Sequence, residues 1–148
     1  MEEILSQAVR VAKLAGNKIK ELRESNQYSE SLKYGYELVT TADLMSHEII
    51  SNEIAKVFHD HNFISEESES NNFSVLKPTW IVDPIDGTVG YANDQYQVSV
   101  AFAIDNLVKV GVVYNPFLNE LFYASEGFGA YFNNKPIKIK DVSNPAFR

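Results

Sequence analysis

The chain has 148 residues, 20 acidic against 13 basic, a formal net charge of −7, 45% hydrophobic residues and no cysteine. This balance fits one globular domain that buries a core, and it argues against holding a nucleic-acid duplex or an anionic membrane by bulk positive charge. The missing cysteines exclude disulfides, thiolate metal sites and thiol nucleophiles.

The opening MEEILSQAVR is acidic and lacks the apolar core of a signal peptide. No segment has the apolar length that spans a bilayer, so a soluble, cytoplasmic protein is expected. Ile4, Leu5, Ala8, Ala12, Ala15, Ile19 and Leu22 recur at helical spacing, which predicts one amphipathic helix over residues 2–24. ESNQYSES reads as a loop and YGYELVT as a strand or extended segment. A second helix is predicted from near Thr41, with Thr40 and Asp43 in an N-terminal cap pattern. Its apolar face is Ile49, Ile50, Ile54, Val57 and Phe58, and HDHN ends it. FISEESESNNFSVLKP starts apolar and turns polar.

From Thr79 the pattern is one of strands: TWIVD, YQVSVAFAID, LVKVGVVYN, ELFYAS and GAYFN. Asp105-Asn106, Asn115-Pro116 and Asn133-Asn134 punctuate the turns, and KPIKIK reads as a solvated edge strand. The predicted class is α+β, two long helices packed on a largely antiparallel sheet. The helices can cover one sheet face. VSVAFAI is apolar on both faces, so a further covering layer is expected.

The chemistry concentrates in WIVDPIDGTVGYAN, where Asp83 and Asp86 flank Pro84 at the end of an apolar run. Pro84 fixes its backbone angle and lacks a donor, which predicts that the strand turns there. Gly87 permits a tight course. Two carboxylates facing one cavity repel each other and need a proton or cations, and hard divalent ions such as Mg²⁺ favour such oxygen ligands. The Ile85 carbonyl and the Thr88 hydroxyl are further oxygens in the same loop. FISEES adds Glu66 and Glu67, and VTTAD adds Asp43. Taken singly, each segment also fits a blander reading: a plain Asp-Pro turn, solvated glutamates, a helix cap. His47, His59 and His61 are read as solvated residues at a helix end rather than transition-metal ligands. The Tyr and Phe residues are read as core packing rather than a base-stacking platform.

VTTAD, FISEES and WIVDPIDGT together, in this order and spacing, resemble the inositol monophosphatase family of Mg²⁺-dependent, often lithium-sensitive phosphatases. Asp83-Pro84-Ile85-Asp86-Gly87-Thr88 matches the signature D-P-[IL]-D-[GS]-[TS], and VGVVYNPFLNELFYASEGFGAYFNNKPIKI resembles the meander that follows it. The resemblance implies the N-terminal half of an αβαβα layered phosphatase and a small phosphorylated substrate, with a homodimer as an option. Glu66 and Asp83 are implied as ligands of a first Mg²⁺, with the Ile85 carbonyl and Thr88 hydroxyl nearby, and Asp83 and Asp86 as shared ligands of a second. Asp43 and Thr88 would orient the attacking water. Gly87 and Thr88 would open a short helix whose N–H groups hold phosphate beside Asp86. Glu67 would stand behind the ligands, and Lys33 resembles a family lysine near the site. Two Mg²⁺ ions can clamp a phosphate, activate a water and stabilise the leaving oxygen, and a helix N-terminus adds positive potential without a basic side chain.

Two features depart from the family pattern. The family usually continues G-T-x-N-F, whereas this chain reads Gly87-Thr88-Val89-Gly90-Tyr91, which leaves the substrate open between inositol monophosphate, a related sugar phosphate and a 3'(2'),5'-bisphosphate nucleotide. The family's second half also carries a W-D-x-[AS]-[AGS] motif whose aspartate completes the second metal site. The single tryptophan here, Trp80, is not part of such a motif. The expectation is a lone N-terminal metal-binding domain over 1–148, lacking the C-terminal α/β domain, weakly active or inactive alone, with a non-catalytic role through a partner or self-association as the competing reading.

Overall fold

The computed structural model describes residues 1–26, 30–33, 37–68, 74, 76–91 and 94–139, with the backbone alone at 30–33, 37–40, 88 and 89. Helix α1 spans Glu2–Glu24, as its periodicity predicts, and buries Ala8, Val11, Ala12, Ala15 and Ile19. The alanines keep this face low, so the helix lies close on the sheet. Strands β1 (Glu30–Lys33) and β2 (Glu37–Thr40) form an antiparallel hairpin and lead into helix α2, Thr41–Ala55.

Helix α2 stops earlier than its apolar pattern suggests. The Val57 N–H donates to the Ile54 carbonyl at 3.1 Å and the Phe58 N–H to the same oxygen at 2.8 Å. This tightened last turn rotates Val57 outward to 46% exposure, while Phe58 still packs against the core.

The main sheet has seven strands in sequential order: β3 (Asn62–Ser65), β4 (Thr79–Asp86), β5 (Gln97–Ile104), β6 (Leu107–Asn115), β7 (Glu120–Ser125), β8 (Gly129–Phe132) and β9 (Lys135–Ile137). Strands β4 to β9 form an antiparallel meander, and β3 pairs parallel with β4. The β5–β6 turn has Asp105 and Asn106 both at positive φ, as do Asn133 and Asn134 in the β8–β9 turn. Two successive left-handed residues match the strands' twist in a two-residue hairpin, and Asp and Asn tolerate them. Strand β9 is exposed throughout and closes one edge, as the KPIKIK reading expects.

Alternation divides the sheet. Trp80, Val82, Val98, Val100, Phe102, Val110, Val112 and Tyr114 are buried in the core cluster that includes α1 and α2. Ile81, Val113 and Phe122, one residue out of phase, are 41%, 37% and 43% exposed. The fold is α+β, two helices on one face of a mostly antiparallel sheet.

Two histidines read from the sequence as solvated are structural instead. The Trp80 Nε1–H donates to His61 Nδ1 at 3.0 Å, and the His61 ring stacks on Phe58 with centroids 4.8 Å apart. His47 Nδ1 lies 3.0 Å from the Ser65 hydroxyl, edge-on to Phe63. Only His59 matches the solvated reading. Burial lowers the His61 pKa below its ordinary 6.5, against a smaller upward pull from Asp60. The folded state therefore favours neutral His61, and its contribution is complete above pH 6.5 and declines below it. His61→Ala should cost about 1–3 kcal/mol at pH 7 by orphaning the Trp80 N–H. The gap from wild type should narrow as the pH falls through 6.5. Thermal melts followed by Trp80 fluorescence measure both, and a pH-independent gap would contradict the assignment.

Candidate metal-binding site

Parallel pairing of β3 with β4 builds the site. Ser65 stands opposite Val82, where the β3–β4 pairing ends, so the following residues, Glu66 and Asp83, are brought to the same end of the sheet. Asp43 enters from the first turn of α2, only 2% exposed. One turn along, the Ser46 hydroxyl donates to the Pro84 carbonyl at 2.8 Å within the core and fastens this helix to the acidic loop.

Pro84 does not end the strand, contrary to the sequence expectation. Asp83 pairs with Ser99 and Asp86 with Gln97, three residues on β4 against two on β5. The extra residue is a bulge, and β4 runs through to Asp86. Pairing to β3 has stopped at Val82, so the missing N–H of Pro84 falls where the ladder is already broken. The bulge lets Asp83 and Asp86 act on a common region while Ile85, 1% exposed, anchors the loop in the core. Gly87, at φ 99°, turns the chain into the short helix α3, Thr88–Tyr91. That helix is pinned from below: the Tyr91 hydroxyl donates to the Ile19 carbonyl at 2.7 Å, and Arg23 Nε donates to the Tyr91 carbonyl at 3.1 Å.

The electrostatics centre on Asp83. Burial, then the Glu66 and Asp86 carboxylates and more weakly that of Asp43, push its carboxyl up to about 6, opposed by a hydrogen bond from the Ile85 N–H. Its Oδ1 is buried with no hydrogen-bond partner. Three acids thus act on a fourth, and one of its buried oxygens is left without a donor. Oxygen-seeking divalent cations fit such a place. Among the described residues no three acidic or histidine side chains converge closely enough to ligate one ion. The arrangement implied by the resemblance asks for two carboxylates per ion, Glu66 with Asp83 and Asp83 with Asp86, and these are the pairs that interact most strongly with Asp83.

The other expected residues fare differently. Glu67 is half-buried and its N–H donates to the Ser65 hydroxyl at 3.3 Å, so its backbone shapes the turn that presents Glu66. Lys33 lies on β1, but its side chain and that of Thr88 fall outside the described residues. Sequence reasoning missed Ser46, Ser65 and Gln97, whose side-chain amide donates to Asp86 Oδ2 at 2.9 Å. Ser46 was discoverable, because it lies three residues after Asp43 on one helix face.

Residues 1–147 match the family model described as "Inositol monophosphatase family". "Inositol monophosphatase 3" of Solanum lycopersicum is 39% identical over 148 residues, covering 97% of this chain and 55% of that protein. "Nus factor SuhB" of Pasteurella multocida is 35% identical, covering 95% of this chain and 54% of that protein. Among solved structures, the suhB protein of Bartonella henselae superposes with a TM-score of 0.83 at 31% identity, covering 93% of this chain and 54% of that one. SaIMPase-II bound to 2'AMP superposes at 0.81 and 28% identity, covering 97% and 52%. The chain spans about half the length of the relatives it matches. It belongs to the inositol monophosphatase family.

Proposed function

We propose that residues 1–148 are the metal-binding half of a Mg²⁺-dependent phosphomonoesterase acting on inositol monophosphate or a similar sugar phosphate. The observation that carries this reading is the buried, donorless Asp83 Oδ1, on whose carboxyl Glu66, Asp86 and Asp43 act electrostatically. Glu66, Asp83 and the Ile85 carbonyl would hold one Mg²⁺. Asp83 and Asp86 would share another, with the Thr88 hydroxyl beside them. Bound Mg²⁺ supplies charge neutralisation for the phosphate and acidity for a coordinated water. The chain's own residues do the rest. Asp43, with Thr88, orients a water and takes its proton at the Asp43 carboxylate. Glu67 stands behind Glu66. Asp86, Gly87 and Thr88 would face the phosphate, and Lys33 would add positive charge nearby. One neighbour, SaIMPase-II, is solved both with 2'AMP and with inositol monophosphate, which supports a small phosphate monoester as the substrate class and keeps a phosphorylated nucleotide, such as a 3'(2'),5'-bisphosphate nucleotide, as the runner-up.

The test is phosphate release from inositol monophosphate, 2'AMP and fructose 1,6-bisphosphate, with and without Mg²⁺. It uses the chain alone and a polypeptide in which these residues replace the matching half of the Solanum relative. Little turnover is expected from the chain alone. The joined protein should show Mg²⁺-dependent release that falls at least ~100-fold with Asp83→Asn. A folded joined protein that releases no phosphate, or releases it equally without metal, overturns the reading.

A further inference from the structure

The β4 bulge decides which residue of β5 stands beside Asp86. Asp83 pairs with Ser99, so an unbroken ladder would set Asp86 opposite Tyr96. Tyr96 is 1% exposed and turned into the core, edge-on to Phe117. The extra residue shifts the register by one and brings Gln97 opposite instead. Side chains alternate along β5: Val98 and Val100 are buried, while Gln97 and Ser99 are half-buried on the other face. Directly opposed residues have Cβ atoms about 4.5–5.5 Å apart, within reach of a glutamine, and the Gln97 amide donates to Asp86 Oδ2 at 2.9 Å. An ionised carboxylate only accepts, so the amide nitrogen is the end that faces it.

We infer that Gln97 is a positioning residue for the ion that Asp83 and Asp86 would share, an assignment that rests on the metal-binding function proposed above. The terminal torsion of an aspartate is broad and nearly two-fold. With Oδ2 held by Gln97, the carboxylate is fixed in one plane and Oδ1 is kept for the ion. The donor is a neutral amide, so it orients the carboxylate without cancelling the charge that attracts a cation, as a lysine or arginine would. The hydrogen bond is exposed, so water competes for it and it adds little to the stability of the fold. Its effect falls on metal binding, because without it the ion must order the carboxylate itself. Partners that hold a ligand from behind are worth ~10–100-fold in metal affinity, and an exposed one belongs at the lower end.

The experiment is a Mn²⁺ titration of the full 148-residue chain, with free Mn²⁺ read by electron paramagnetic resonance and folding checked by circular dichroism. Mn²⁺ takes the same oxygen ligands as Mg²⁺. Gln97→Met keeps the side-chain length and removes the donor. It should weaken Mn²⁺ binding ~10-fold, while the melting temperature without metal stays within about 2 °C of wild type. Gln95→Met is the matched control. Gln95 lines the same cleft of about 480 Å³ but bonds to Gly90 through its backbone, so its variant should bind as wild type does. A Gln97→Met chain that binds as wild type overturns the proposal, and so does equal weakening in both variants. Loss of fold in Gln97→Met would assign the residue to structure and overturn it too. Binding that Asp83→Asn abolishes and Gln97→Met leaves unmoved overturns this proposal alone. A wild type that binds no Mn²⁺ overturns the proposed metal-binding function as well.

Discussion

Asp83→Asn is expected to raise the melting temperature of the metal-free chain by about 2–6 °C at pH 8, and to abolish the further rise expected of the wild type in millimolar Mg²⁺ under the proposed function. The first effect follows from linkage. A carboxyl held near 6 in the fold binds its proton more tightly when folded than when unfolded. It therefore opposes folding at high pH, and the loss is recovered as the pH falls through about 6 towards the ordinary carboxylate range. Asn keeps an oxygen for the Ile85 N–H and removes the charge that Glu66, Asp86 and Asp43 repel. Discounted for partial solvent screening, the relief is on the order of 1–2 kcal/mol, or a few degrees for a domain of this size. The second effect has the opposite sign because an ion binds only the folded state. At ten times its dissociation constant it contributes about 1.4 kcal/mol, and Asp83 is common to both carboxylate pairs. Differential scanning calorimetry from pH 5 to 8, with and without Mg²⁺, measures both. The gain from Asp83→Asn should shrink below pH 6. A substitution that destabilises the apo chain, or a variant that still gains from Mg²⁺, would contradict this account of the site.

Gly90→Ala is expected to cost about 3 kcal/mol and lower the melting temperature by ~6–12 °C. A Cβ at Gly90 would stand 2.2 Å from the Gln95 carbonyl oxygen, and backbone cannot swing aside as a flexible side chain can. The same two residues are already bonded, Gln95 N–H donating to the Gly90 carbonyl at 3.0 Å, so relieving the clash sacrifices that bond. The asparagine usual at this place in the family would clash likewise. At this departure from the family pattern the chain returns close onto α3, the Gln95 carbonyl lying where a side chain at residue 90 would begin. Urea unfolding of the variant gives the cost directly, and wild-type stability would show that the loop yields freely.

The fold was legible because its signals are periodic and local. Alanines every three or four residues set α1, and paired Asp and Asn residues at positive φ set the hairpins. The acids were legible as a set through the resemblance. What stayed hidden depends on pairing between distant segments. Glu66 and Asp83 become neighbours only through a parallel register between β3 and β4, and a four-residue strand gives too little pattern to reveal its direction. The bulge was unreadable because a proline at a strand end and a proline at a ladder break look alike in sequence. His61 was misjudged because HDHN carries no mark of the indole that awaits it across the core.

The one parallel pairing in the main sheet also divides the order in which the molecule can assemble. In the meander, Ile104 pairs with Leu107 across a two-residue turn, so that hairpin closes with little loss of chain entropy. Asn62 must wait for Thr79, and the longer closure carries a larger entropic cost before its contacts are repaid. Glu66 therefore reaches Asp83 only through the longer closure, whereas Asp83 and Asp86 already share strand β4. The repulsion between Glu66 and Asp83 thus attaches to the contact whose closure costs the most chain entropy.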